Sequence, residues 1–245
     1  MTSKLWKAGA VLGVSALMAG WVHLVPVSAQ TDGTPFQVDS FSQIQIEGGG
    51  HAVITIGSPA AVTVSGSEAE ISNLQVQVWF NTLEIEPNDD DNRGGSSDLV
   101  YHITAPSLTQ IELEGSVTAE IDGLTTDSLQ ITVEDSAGLQ IANLAAGRLE
   151  AQVESSGTVT LSGKADSQQI ENEDNATYDA IQLDSTTASV EAEGSSHSKI
   201  RFTGSLSGQA EDSAVVDYMT ESGSVSVSTE DSARLNPLPF EALAS

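Results

Sequence analysis

The sequence contains no cysteine, which excludes disulfides, a thiol nucleophile, thiolate zinc sites and iron–sulfur clusters. Basic residues are scarce, since eight Lys and Arg stand against 35 Asp and Glu, for a formal charge of −27 over 245 residues. Nucleic acids and anionic lipids both attract basic surfaces, so neither is an expected partner. Aromatic residues make up only 4% of the chain. The core must therefore be built from Val, Ile, Leu and Ala.

Residues 1–29 have the organisation of a secretory signal peptide. Lys4 and Lys7 precede an apolar run over residues 8–27, and Val27-Ser28-Ala29 supplies the small residues of a cleavage site. A retained membrane anchor is the alternative, because the run could almost span a bilayer. Helix-breaking glycine and proline within the run favour cleavage. The sequence therefore predicts export to the periplasm, the cell surface or the medium.

No later apolar run is long enough to cross a bilayer, so we expect no transmembrane segment in the mature chain. A single domain is predicted after the leader, with two prolines near its end that would block further strand pairing. Its predicted parts are a short tether over 30–34, a domain over 35–245 with an irregular first part (35–107) and a regular part (108–236), and a cap over 237–245.

A tetrapeptide recurs seven times in the second half of the chain. It consists of Glu, then Gly, Asp or Ser, then Ser or Asn, then Val or a small residue. Subtracting successive Glu numbers gives spacings of 20, 20, 19, 20, 18 and 19 residues. Such regularity is typical of a repeat architecture in which each unit stacks on its neighbours. The seven glutamates are Glu114, Glu134, Glu154, Glu173, Glu193, Glu211 and Glu230.

Apolar and polar residues alternate on both sides of each tetrapeptide, as at Leu129, Ile131 and Val133. A period of two indicates strands with one buried face, so each repeat is two short strands joined at a corner. Equivalent positions carry the same residue type, which parallel in-register stacking produces. We therefore predict an all-β fold, a parallel β-helix that is right-handed by the usual crossover rule, with Ser136 directly over Ser156. The alternative is an antiparallel β-sandwich or prism.

The first part of the domain and its entry into the repeats share a pattern of apolar residues and glycines. The residues of this pattern are Phe41, Ile44, Ile46, Gly48, Ile54, Ile56, Gly57, Val62, Val64, Gly66, Leu83, Ile85, Pro106, Leu108, Ile111, Leu113, Gly115 and Ser116. The pattern resembles the head GIN domain family of putative autotransporter adhesins. This resemblance implies a secreted or cell-surface β-helical domain with an adhesive role and no catalytic residues. The later corners depart from the family's Gly-Ser-Gly-like corners, because here they are more acidic.

Five of the seven glutamates directly follow an apolar residue that should face inward, so we expect the whole row to point outward. A solvated acidic face is the simplest interpretation. A sharper hypothesis is calcium binding where two acidic corners stack, with Glu211 and Asp212 under Glu230 and Asp231 as hard oxygen ligands. A second acidic cluster over 88–92 resembles a calcium loop only loosely, because a basic residue follows it where a ligand is needed.

The few aromatic residues offer two kinds of candidate. Trp79 and Phe80 adjoin, so one of them must face outward in a strand and is a contact candidate. Three further aromatic residues lie in second strands of the repeats, where burial in the core or stacking between repeats is expected. These three are Tyr178, Phe202 and Tyr218.

We expect a non-enzymatic binding or adhesion module whose partner is a surface glycan or protein. One alternative is a structural spacer without a ligand, which would show uniform acidic faces. The other is a polysaccharide-active enzyme, which would show a cleft with carboxylates and a few basic residues. No nucleophile elbow or histidine metal spacing supports catalysis. The basic residues available to an enzyme are Arg148, Lys164, Lys199 and Arg201.

Overall fold

The computed structural model describes residues 33–88 and 98–239, all within one compact unit. The leader over 1–29, residues 30–32 of the tether, most of the acidic cluster at 88–92 and residues 240–245 of the cap lie outside the described residues. Thr34, which the sequence places in the tether, already belongs to the first strand and pairs with Val64.

The described residues form one β network with a single short helix. The strands of the first part are β1 (Thr34–Phe36), β2 (Gln43–Ile56), β3 (Ala61–Ser65), β4 (Leu74–Trp79), β5 (Thr82–Pro87) and β6 (Val100–Ala105), with α1 (Glu68–Ser72) before β4. The strands of the repeats are β7 (Gln110–Asp122), β8 (Thr125–Val133), β9 (Gly138–Val153), β10 (Thr158–Asn172), β11 (Thr177–Ala192), β12 (His197–Ala210), β13 (Val215–Met219), β14 (Ser224–Thr229) and β15 (Arg234–Pro237).

From β7 onward the chain winds as a β-solenoid of about six turns with parallel pairing between successive turns. Each turn contributes to two faces, and the long strands β9 to β12 bend from one face to the other. Face A consists of residues 118–122, 138–142, 158–161, 177–180, 197–201, 215–219 and 234–237. Face B consists of residues 125–133, 145–153, 164–172, 184–192, 205–210 and 224–229.

The alternating pattern places one side of each strand in the core. Leu129, Ile131 and Val133 are fully buried, and the register stacks Leu149 over Leu129 in the next turn. The corners stack in the same register, because the backbone N–H of Ser156 donates to the carbonyl of Asp135 at 2.7 Å. The parallel coil is thus confirmed over the antiparallel sandwich or prism. Its right-handed winding stays a prediction.

The first part of the domain mixes both pairing types. β2 enters the coil in register with β7, so that Glu47 lies opposite Glu114 and Gly48 opposite Gly115. On face A, β6 continues the parallel stack, whereas β3 and then β1 add in antiparallel fashion. On face B, β5 pairs in parallel with β2 and carries β4 as an antiparallel edge strand. Antiparallel neighbours need only short connections, so the chain can fold back on itself at this end.

The repeats differ in length at only one of their two corners. The acidic corner, which is the recurring tetrapeptide, joins face B to face A and always contains four residues. We call the opposite connection, from face A to face B, the variable corner. We count it between the last position of face A and the first position of face B that are paired in every turn, so it includes the ends of some face ranges given above. By this count it contains seven, seven, six, seven, five and six residues in chain order, and these counts follow the repeat spacings. The segments are 121–127, 141–147, 161–166, 180–186, 200–204 and 218–223.

Candidate functional site

The residue types of the acidic corner have a backbone cause. The second residue of the corner is in the left-handed region, with φ of 58° at Asp135 and 69° at Gly194. Glycine enters this region freely, and Asp and Asn enter it more readily than most residues. The third residue then donates its N–H to the second residue one turn earlier, as Ser136 does to Gly115 at 2.8 Å. The sequence alone did not predict this left-handed position, although the Gly, Asp or Ser in second place is its signal.

The glutamates of the acidic corner influence one another's titration. Partial burial, with added repulsion from Glu154 and Glu114, raises the pKa of Glu134. Glu173 shows the same behaviour, because desolvation and then the neighbouring charges of Glu154 and Glu193 raise its pKa. Like charges that stack one turn apart favour the protonated form of alternate members. Glu134 and Glu173 therefore hold their protons more tightly than isolated glutamates do.

The four predicted calcium ligands lie on adjacent acidic corners, as expected. Ser232 N–H donates to the carbonyl of Asp212 at 2.7 Å, which stacks the corner of Glu230 and Asp231 on that of Glu211 and Asp212. Desolvation, followed by the charge of Glu230, raises the pKa of Glu211. Within residues 33–88 and 98–239, no group of three or more His, Asp or Glu is arranged to hold a metal ion. Calcium binding at these residues stays a prediction.

Two aromatic rings form the tip of the β4–β5 hairpin, and we call Trp79 with Phe80 the aromatic tip. Trp79 is 61% and Phe80 is 84% exposed, and in the described part of the chain no other large hydrophobic residue is exposed. Their ring centroids lie 4.8 Å apart in an edge-to-face arrangement. The sequence predicted that one of the two would face outward. Both do, because the turn removes Phe80 from the alternation of the strand.

The turn that carries the aromatic tip is strained at its first residue and anchored at its second. Phe80 and Asn81 have φ of 43° and 72°, as in a two-residue hairpin loop that normally selects Asn and Gly. Asn81 donates through Nδ2 to Ser42 Oγ at 2.6 Å, and its carbonyl accepts from Ser42 N–H at 3.1 Å. The Thr82 hydroxyl donates to Gln43 Oε1 at 2.8 Å. These bonds attach the turn to the coil and leave the rings free.

A cavity of about 500 Å³ opens at the variable corner near the end of the coil, and we call it the corner groove. It forms because segment 200–204 is the shortest variable corner and lies between longer neighbours, 180–186 and 218–223. The sequence signal for this recess was the single 18-residue spacing. The groove is lined by Lys164, Ala165, Asp166, Asp184, Ser185, Thr186, Arg201, Phe202, Thr203, Glu221 and Ser222.

A chain of buried hydrogen bonds supports the floor of the corner groove. The Tyr178 hydroxyl donates to Gln168 Oε1 at 2.7 Å, and Gln168 Nε2 donates to Ser185 Oγ at 2.7 Å. The Ser185 hydroxyl donates to the backbone carbonyl of Arg201 at 2.8 Å. Burial raises the pKa of Tyr178, so it serves as a neutral donor. On the surface, Arg201 Nε lies 2.9 Å from Asp184 Oδ1.

The other basic residues singled out from the sequence do not join Lys164 and Arg201 in the groove. Arg148 is on face B, where it bonds to Gln169 at 2.8 Å. Lys199 is on face A and forms an ion pair with Asp179 at 2.9 Å.

The aromatic residues of the repeats lie where the sequence placed them. Tyr178 and Phe202 are buried, and Tyr218 is half-buried with its ring centroid 6.1 Å from that of Phe202.

In the described ranges no helix has the length and apolar character needed to cross a membrane.

Solved structures of several bacterial proteins share this fold. A putative adhesin from Bacteroides fragilis is 21% identical, with a TM-score of 0.77 and coverage of 83% of this chain and 95% of that one. A putative adhesin from Parabacteroides distasonis is 14% identical, with a TM-score of 0.63 over 84% and 96% of the two chains. A protein from the same organism, described as a putative lipid binding protein, is 15% identical with a TM-score of 0.63 over 85% and 98%. No curated protein matches the chain.

The family comparison agrees with the resemblance seen in the sequence. The family model described as putative auto-transporter adhesin, head GIN domain, matches residues 40–222. That range includes the mixed first part from β2 onward and all but the last turn of the coil. The chain therefore belongs to the head GIN domain family of putative auto-transporter adhesins.

Proposed function

We propose that this protein is an exported, non-enzymatic adhesion module that contacts its partner through the aromatic tip. The observation that carries the proposal is the exposure of Trp79 and Phe80 on an otherwise acidic and polar surface. Aromatic side chains dominate the energetics of many interfaces, and Trp is among the residues most enriched at binding hot spots. Family membership and the adhesin names of the structural neighbours support the same role.

The strained backbone at the tip also supports a contact role. A left-handed conformation costs a non-glycine residue about 1–2 kcal/mol, and a bulky residue is an outlier there. Such strain tends to persist at sites where function requires it. At Phe80 the strain holds a ring away from the coil, where it is of no use to the core.

Charge limits the kind of partner. The field of a chain with a formal charge of −27 repels polyanions and favours neutral or cationic surfaces. A surface glycan that offers C–H faces to the rings, or a protein with an apolar pocket, satisfies both the charge and the tip. The predicted leader over 1–29 would deliver the domain outside the cytoplasm.

The test is binding of the mature chain, displayed on beads, to a glycan array and to cell surfaces. The double variant Trp79→Ala/Phe80→Asn should lose at least about tenfold in retention, since a buried aromatic anchor is worth 2 kcal/mol or more. The matched control is Gln75→Ala, which removes an exposed side chain from the same edge strand. Equal retention of the two variants would reject the tip as the contact surface. Absence of any binding by the parent chain would favour the spacer alternative.

We further propose calcium binding at Glu211, Asp212, Glu230 and Asp231, supported by the stacking of their two corners. Calcium prefers six to eight oxygen ligands, which stacked carboxylates and water can supply together. Calcium should raise the melting temperature more than sodium chloride of equal ionic strength does, and Asp212→Asn/Asp231→Asn should abolish the difference. Identical shifts with both salts would reject a specific site.

A further inference from the structure

We propose that the corner groove is a binding site for a sugar that carries one carboxylate, such as a hexuronic acid. This site lies outside the aromatic tip and does not depend on the adhesive contact proposed for the tip. It would give the protein a small-ligand specificity in addition to adhesion.

The corner groove contains two cationic side chains, Lys164 and Arg201. Lys164 is exposed, and in the described residues no carboxylate lies within the 4.0 Å of an ion pair to its ammonium. Arg201 lines the same cavity, and its guanidinium is held in place by an ion pair with Asp184. Two of the chain's eight basic residues thus line one cavity of about 500 Å³, together with the carboxylates of Asp166, Asp184 and Glu221, so the groove offers groups of both signs. An ammonium without a carboxylate partner, in a cavity that a guanidinium also lines, is a donor suited to one ligand carboxylate.

The remaining polar groups specify the rest of the ligand. Asp166 and Glu221 offer carboxylate oxygens, which accept hydrogen bonds from alcohols. Thr186, Thr203 and Ser222 line the same cavity with hydroxyls, which both donate and accept. A ligand with several hydroxyls and one negative charge matches this set. A polyanion does not, since the three carboxylates of the groove and the field of the whole chain repel further charge.

The fold fixes the shape of the groove before any ligand binds. Its recess comes from the five-residue segment 200–204, whose ends are held in the parallel register on both faces. Beneath it, the bonds from Tyr178 through Gln168 and Ser185 fix the carbonyl of Arg201 from the buried side. A site whose supporting residues are packed and hydrogen-bonded loses little free energy to ordering when the ligand binds. The volume lies within the range of small-ligand pockets.

The experiment is a titration of the ¹⁵N-labelled mature chain with glucuronic acid, glucose and acetate in parallel, observed by amide chemical shifts. Glucuronic acid should give saturable shifts centred on residues 164–166, 184–186, 201–203 and 221–222. Glucose and acetate should each bind at least about tenfold more weakly, because each lacks half of the matching groups. Added sodium chloride should weaken the binding of glucuronic acid.

Variants separate the groove from the rest of the surface. Lys164→Met should weaken glucuronic acid binding by about tenfold, as expected for a charge-assisted contact. Lys199→Met is the matched control, because Lys199 is a paired lysine on face A, and it should leave the affinity unchanged. The melting temperature of Lys164→Met should match that of the parent, since the side chain is exposed.

Four outcomes would overturn the proposal. The first is the absence of a saturable shift at millimolar glucuronic acid, and the second is binding of acetate or of glucose as tight as that of glucuronic acid. The third is equal affinity of the Lys164→Met and Lys199→Met variants for glucuronic acid. The fourth is cleavage of a uronic acid oligomer that is added to the same samples. The Trp79→Ala/Phe80→Asn variant should bind glucuronic acid like the parent, so failure at the tip and failure at the groove are distinguishable.

Discussion

The acidic corner and the variable corner are made by the same repeats, yet they follow different rules. The acidic corner keeps four residues, a left-handed second residue such as Asp135, and a hydrogen bond from its third residue to the turn before it, as from Ser156 to Asp135. The variable corner changes length between five and seven residues and carries the bulges of β10 and β11. The corner with the strict backbone requirement forms an even acidic surface. The corner without that requirement forms the groove.

The largest effect is expected from breaking the acidic corner. Insertion of two glycines between Asp174 and Asn175 would separate the left-handed residue from the N–H that bonds to Ser155. The register of the following strands would then shift against the core. We expect a loss of at least about 4 kcal/mol, or no folded protein, by urea unfolding. A loss below about 1 kcal/mol would show that this corner is as tolerant as the other one.

A smaller effect is expected from substitution at the left-handed position. Asp174→Val places a β-branched residue at φ of 59° and should cost about 1–2 kcal/mol in the free energy of unfolding. The control is Asp174→Gly, because glycine occupies the same position one turn later at Gly194. Equal stability of the two variants would contradict a backbone requirement at this corner. Denaturant unfolding of all three proteins provides the measurement.

The pH dependence of stability tests whether the stacked glutamates of the acidic corner interact electrostatically from turn to turn. The raised pKa of Glu134, Glu173 and Glu211 means that the folded state binds protons more readily than the unfolded state. Stability should therefore rise as pH falls through the raised values toward the ordinary glutamate value of 4.5, and this gain is absent at higher pH. The melting temperature measured from pH 8 down to pH 5 should increase.

The matching control for this pH dependence replaces the three glutamates by glutamine, which should flatten the rise. High salt should also reduce the rise, because it screens the repulsion between successive turns. If the triple variant kept the full slope, the origin of the pH dependence would lie elsewhere in the molecule.

The smallest effect on stability is expected at the variable corner. Insertion of two residues after Thr203 would lengthen segment 200–204 to the seven residues found at 180–186. Each added loop residue costs little closure entropy, so the free energy of unfolding should change by less than about 1 kcal/mol. The groove should be filled, and binding of glucuronic acid should be lost. Retained binding would show that the recess is not the site.

Much of the coil could be predicted because a constant spacing leaves few geometric solutions. Burial of Leu129, Ile131 and Val133 and the stacking of Ser136 with Ser156 both follow from a repeat that returns the chain to the same place. The antiparallel strands of the first part were not predicted. Their residues alternate like those of the coil, and alternation alone does not give the direction of the partner strand.

The sites were predicted less well than the fold. The sequence singled out Trp79 and Phe80 but expected one ring outward, because it did not anticipate the left-handed turn at Phe80. It named Lys164 and Arg201 among four basic residues without a reason to group them. The 18-residue spacing was visible, but nothing in the spacing says at which corner two residues are missing.

The period, the buried side of each strand and the placement of seven glutamates along one edge follow from the amino-acid sequence, because these properties repeat locally along the chain. Which corner absorbs the differences in length, and hence where Lys164, Asp184 and Arg201 come to line one cavity, depends on the folded coil. The physical reason is that a cavity depends on the length of one turn relative to its neighbours in the stack. That comparison exists only after the turns have been placed against one another.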